Sequence, residues 1–205
     1  MKGIAFAAVA AVCFTAGPAL ANPARPVAIA AATVTTDDVA ALQPGAYVWR
    51  DGGSGGRLSI VVSLPDQRAY VYRGPALVAA STVSTGAEGR DTPVGSFPIL
   101  QKEAAHKSSL YDDAPMPYMQ RLTWDGVALH AGGNPGFPSS HGCVHLPTAF
   151  AKKLFGATRI GTTVTVVDAS IDGAPVPQSA AEVTIASQAE TADANAAQLA
   201  ATQRP

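Results

Sequence analysis

From Arg57 onward the chain is cut into short apolar runs by glycine and proline, and only one run has a helical period. Leu58, Ile60, Val62 and Leu64 alternate with smaller or polar residues, the pattern of a half-buried strand. Pro65-Asp66-Gln67 reads as a turn and 69–72 as the return strand, so the two form a hairpin. Residues 77–85 are a third β-rich run and 96–101 a fourth, where Pro98 demands an edge position or a bulge. Residues 103–115 show no period and read as a surface loop. Residues 116–124 and 127–131 then pair across Asp125-Gly126, and 162–167 form a last β-branched strand. The helix is 147–155, with Pro147 at its first position, Phe150 and Leu154 on one face, and Gly156 as C-cap. Many short strands with one helix predict a mainly β domain, sandwich- or barrel-like, over 57–168.

The flanks read differently. Lys2, the apolar stretch 4–17 and Ala19-Leu20-Ala21 have the layout of a signal peptide cut after Ala21. A lipoprotein signal around Cys13 fits less well, because Val12 stands where such signals want a small residue. Residues 22–56 read as a leader ending in the linker Asp51-Gly52-Gly53-Ser54-Gly55-Gly56, and 169–205 as a low-complexity, disordered tail. No other stretch approaches the length of a membrane helix, so the expectation is an exported protein with no membrane span after cleavage. A net charge of −1 and the lack of a basic tail argue against a nucleic-acid partner.

Signal cleavage changes the cysteine count. Of the two cysteines only Cys143 remains, and a lone cysteine in an oxidising compartment is a candidate reactive thiol. The alternative is a buried, inert cysteine. The neighbourhood decides between them: three of the four histidines and Cys143 fall within 130–145. Cysteine-dependent acyl transfer needs a thiolate, an imidazole to take and return its proton, and donors aimed at the developing oxyanion. His130 at a strand end, and Cys143 after a Gly/Pro-rich loop, can supply the first two. Gly142 lets backbone amides approach a carbonyl closely.

Ser140-His141-Gly142-Cys143, preceded by His130 in a Leu-His-Ala-Gly setting, resembles the signature of the L,D-transpeptidase catalytic-domain family of bacterial cell-wall enzymes. The resemblance extends to 60–64 with Gln67, Val83-Ser84-Thr85-Gly86, 92–97, Met116-Pro117 and Gly161-Thr162-Thr163-Val164. It implies that Cys143 attacks a peptidoglycan stem peptide to form a thioester. His130 is then the general acid/base, oriented by the backbone carbonyl of Ala131, and Gly142 contributes to the oxyanion hole. Ser140 and His141 shape the nucleophile turn, and no cofactor is called for. The thioester passes to an amine of a second stem (a cross-link) or to water. The implied partners are thus stem peptides as donor and acceptor, and the implied location is the periplasm or cell envelope.

Two features depart from the family pattern. His145 stands where Arg, sometimes Asn, is usual, which implies a smaller, pH-dependent charge. The loop from His130 to Cys143 is also short, which leaves stem length and cross-link position open. Other residues have two readings. His141, Cys143 and His145 would share a strand face and with His130 could ligate zinc, but the resemblance explains them without a metal. Tyr118, Trp124 and Phe137 either line a cleft or belong to the core; Arg121 either meets a stem carboxylate or is an exposed strand arginine; His106 is expected to be solvated. A papain-like site is disfavoured because His130 precedes Cys143. Competing functions are L,D-carboxypeptidase or hydrolase action or D-amino-acid exchange at the same site, release of a wall-anchored protein, and a non-catalytic wall-binding module.

Overall fold

The computed structural model describes residues 33–53 and 55–171. In chain order its elements are α1 (Thr36–Ala40), β1 (Tyr47–Trp49), β2 (Leu58–Ser63), β3 (Arg68–Arg73), β4 (Ala76–Thr82) and β5 (Gly95–Pro98). They continue as β6 (Gln101–Lys107), β7 (Pro115–Arg121), β8 (Ala128–Ala131), β9 (Val144–Leu146), α2 (Thr148–Ala157) and β10 (Thr163–Val167). The fold is mainly β, with one sheet ordered β1-β4-β3-β2-β10-β5 and a second ordered β6-β7-β8-β9.

The alternation in 58–64 becomes two buried faces. Ile60 and Val62 lie in the main core with Val71, Val164 and Val166, which β3 and the parallel β10 bring alongside. Val61, Tyr70, Tyr72 and Val167 point the other way into a smaller core. Phe150, Ala151 and Leu154 of α2 pack into the main core, as do Leu129 and Ala131 of β8 and Val144 and Leu146 of β9. This inward anchoring fixes what β8 and β9 turn outward.

Part of the segment read as a leader is built into the domain. Val34 and Val39 close the smaller core, and α1 starts with a capping box between Thr35 and Asp38. β1 then pairs antiparallel with β4. A three-residue strand is too short to show a period, and its register comes from β4 rather than from itself. The glycine-rich linker is tied at its start, where Asp51 accepts two hydrogen bonds from Arg73, each 2.7 Å. At the other end Ile171 enters the smaller core. The stretch read as a signal peptide, residues 22–32 of the leader and residues 172–205 of the tail lie outside the described residues.

The loop expected at 103–115 is a correction. Its first part is β6, paired with β7 along its length. β6 is an edge strand with several exposed residues, so it lacks the apolar alternation that would reveal it. The helix is displaced slightly: Pro147 is the N-cap residue and Gly156 lies inside, with Thr158 as C-cap. No helix among the described residues is long and apolar enough to cross a membrane.

Candidate active site

Because Leu129, Ala131, Val144 and Leu146 face the core, strand alternation puts His130, His145 and the preceding Cys143 on the opposite face. His130 is buried, and its Nδ1–H donates to the Ala131 carbonyl at 2.8 Å. That bond sets the tautomer and leaves Nε2 for proton transfer. Burial lowers the imidazole pKa from 6.5 to about 4; the Ala131 carbonyl opposes this, and His145 and His106 add to it. His145 sits edge-on to His130, ring centroids 4.7 Å apart, with Nδ1 donating to the Gly133 carbonyl at 3.1 Å. Gly132 is fitted to that ring, since a Cβ there would lie 2.8 Å from it.

The nucleophile turn is held from outside the strands. Ser140 Oγ donates to the Cys143 carbonyl at 2.5 Å and accepts from Gly142 N–H at 3.1 Å. Gly142 has φ 107, a conformation open to glycine. The buried Thr92 hydroxyl donates to the Gly142 carbonyl and accepts from Gly86 N–H, both at 2.9 Å. Ser139 and Ser140 both donate their N–H to the Thr85 carbonyl at 3.0 Å. Gln67 brackets Thr85, its amide nitrogen donating to Oγ1 at 2.6 Å and its oxygen accepting from the backbone at 2.9 Å. The Gly142 amide is thus engaged by Ser140, and no hydrogen bond from the Cys143 N–H is present among the described residues.

Cys143 is half-buried against Met116, Met119 and Ala128, and its thiol donates to the Gly126 carbonyl at 3.5 Å. Burial pushes the thiol pKa up, partly offset by the Ala128 N–H and the charge of Arg121. Both shifts favour the uncharged forms of the two groups. Met116 and Met119 are three apart on one strand yet share a cluster, which strict alternation forbids. Between them Tyr118 has φ 58, a left-handed conformation rare for a tyrosine, and it turns the strand over.

Cys143 and His130 share a cavity of about 340 Å³ with His145, Arg121, His106 and Tyr111. His141 also lines it, its ring 4.7 Å from that of Tyr111. Tyr118 does not: its ring packs on Phe155 of α2 at 6.0 Å, on the core side. Trp124 and Phe137 are 73% and 60% exposed and lie outside the cavity. His106 departs from the solvated reading. It sits on β6, bonded through Nδ1 to Glu103 at 2.8 Å and through Nε2 to Arg121 at 3.5 Å. Among the described residues no three His, Cys, Asp or Glu groups are placed to share a metal ion. Sequence reasoning also gave no role to Gln67, Thr85 or Thr92; their only signal was that each stands in a segment carrying the resemblance.

The family described as YkuD, the L,D-transpeptidase catalytic domain, matches residues 57–166. L,D-transpeptidase 1 of Mycobacterium tuberculosis is 28% identical over 130 residues, covering 56% of this chain and 52% of the relative. The chain thus spans about half the length of that curated relative. An L,D-transpeptidase structure from Stackebrandtia nassauensis has TM-score 0.51 and 29% identity, covering 58% of this chain and 59% of that one. An L,D-transpeptidase in complex with imipenem has TM-score 0.51 and 27% identity, covering 55% and 60%.

Proposed function

The chain belongs to the YkuD L,D-transpeptidase catalytic domain family, and on that premise we propose that it is an exported acyltransferase acting on peptidoglycan stem peptides. Cys143 Sγ attacks a stem-peptide carbonyl while its proton passes to His130 Nε2. The oxyanion is met by the Cys143 N–H. Collapse breaks the peptide bond, His130 protonates the departing amine, and a thioester remains. An amine of a second stem then attacks the thioester and gives its proton to His130, which returns one to the thiolate. The observation that carries this reading is the Nδ1 bond from His130 to Ala131 at 2.8 Å, on the wall of the cavity that holds Cys143. That bond orients the base with no carboxylate partner. Export rests on Lys2, the apolar stretch and Ala19-Leu20-Ala21.

The test is incubation of the protein with purified tri- and tetrapeptide muropeptides, followed by mass spectrometry. Cross-linked dimers are the expected product. Trimmed monomers in their place would make it a hydrolase, and unchanged substrate that nevertheless binds would make it a wall-binding module. Imipenem is expected to leave a mass adduct on Cys143, as the complex of a relative suggests.

A further inference from the structure

The cavity that holds Cys143 has one permanently charged side chain in its wall, Arg121, and no aspartate or glutamate. A partly buried guanidinium is usually met by a carboxylate. Arg121 has none among the described residues. Its fixation is instead arranged from behind and below. Nε donates to Gln101 Oε1 at 2.9 Å, and Nη2 approaches His106 Nε2 at 3.5 Å, while His106 is itself held through Nδ1 by Glu103 at 2.8 Å. The guanidinium also lies 5.8 Å from the Trp124 ring centroid. Nη1 is left without a protein partner among the described residues. A side chain fixed on several sides with one edge open is preorganised for a planar anion.

Strand register explains why the open edge concerns the reaction. Arg121 pairs with Ala128, two residues before His130 and on its face of the sheet. Arg121 is also near enough for its charge to act on the Cys143 thiol. We propose that Arg121 is the carboxylate anchor of the donor site, with His106 and Gln101 as its positioning residues. This rests on the acyltransferase reading and deepens it. The site selects a donor with a free carboxylate close to the attacked carbonyl, either the terminal α-carboxylate of the departing residue or a side-chain carboxylate on the residue that is attacked.

Three donors separate the possibilities: a tetrapeptide stem with both groups free, one with a terminal carboxamide, and one with the side-chain carboxylate amidated. For the native protein, one amidation is expected to lower kcat/KM for release of the terminal residue by about 10- to 100-fold. Whichever amidation does so identifies the carboxylate. In Arg121→Gln that ratio should collapse toward one, and Arg121→Lys should restore part of it. Equal losses on all donors in Arg121→Gln would overturn the anchor, as would an unchanged ratio. Thermal unfolding of the variant checks that it is folded, and alkylation by neutral iodoacetamide that the thiol still reacts. Calorimetric titration of Cys143→Ala protein with the same donors reads the anchor without chemistry. Discrimination in binding with no turnover by the native protein would keep the anchor and sink the acyltransferase. Turnover with no discrimination would do the reverse.

Discussion

The two sheets are built by different rules. In the six-stranded sheet, neighbouring residues of β2 and β3 are buried in two cores, so each strand is fixed by packing on both of its faces. The four-stranded sheet turns Leu129, Ala131, Val144 and Leu146 into the main core, and its working face, where Met116, Met119, Ala128 and His130 are also buried, is further held by polar contacts. Thr85 and Thr92 hold the turn before Cys143, Gln101 and His106 hold Arg121, and Tyr118 at φ 58 reverses the side chains of β7. Burial specifies the first sheet, whereas the working face of the second depends in addition on hydrogen bonds, some from the neighbouring strand and some from the segments of Thr85 and Thr92. Substitutions in one should therefore cost stability, and in the other activity.

The sharpest separation is expected at Cys143. Cys143→Ala should reduce muropeptide turnover by at least about a thousandfold, while the urea unfolding midpoint stays close to that of the native protein. Phe150→Ala should do the opposite. Phe150 is fully buried and meets the rings of Tyr47 and Trp49, each centroid 5.7 Å away, so it ties α2 to β1. Its truncation should cost about 4 kcal/mol in urea denaturation. The folded fraction should still turn over donor; a variant that stayed stable but lost its activity would erase the distinction.

The same division explains what could be read in advance. The runs that became β2, β3 and β10 were legible because burial on both faces demands short, β-branched apolar runs and turns punctuate them. β1 and β6 were not, the first too short and the second too exposed to carry a period, and both owe their existence to a partner strand. In the site, Cys143 and His130 stood out through clustering and resemblance. Their supports did not, because Gln67 acts on Thr85 from 18 residues away and Thr92 on Gly142 from 50. Nor did alternation foretell Tyr118. By sequence its ring fits either a cleft or the core, and its backbone conformation turns it to Phe155, on the core side.

Acid should probe the two sheets in separate windows. His130 has a pKa of about 4 in the folded protein against 6.5 in the unfolded chain, so between these values the unfolded state binds the extra proton. The resulting stability is complete above pH 6.5 and is lost as pH falls to about 4, a loss of about 3 kcal/mol. His145, also lowered by burial, adds in the same direction. Asp38, beside β1, is held at about 2 by its hydrogen bonds to Arg50 and Thr35, so its contribution disappears only below its ordinary value of 3.8. Urea midpoints measured from pH 7 to 4 should fall for the native protein and fall much less for His130→Gln, with His145 supplying the remaining slope. Parallel slopes would show that the site histidine is not what links pH to folding.

The smallest expected effect probes the borrowed order most directly. Thr92 is 3% exposed, and its hydroxyl joins Gly86 N–H to the Gly142 carbonyl, one residue before the nucleophile. Thr92→Val keeps the shape and removes the hydroxyl, leaving a buried donor and a buried acceptor unpaired. The stability cost should be about 2 kcal/mol. If the turn depends on this bond, kcat/KM should also fall, on the order of tenfold, because a displacement near 1 Å at the nucleophile is expensive. Thr92→Ser, which restores the hydroxyl, should recover most of the activity. Val62→Ala in the six-stranded sheet is the control: it removes buried apolar volume at a cost of about 2 kcal/mol. If both variants, measured where each is fully folded, keep native kcat/KM, then β9 and its core contacts hold Cys143 unaided. In that case the two sheets are built by one rule.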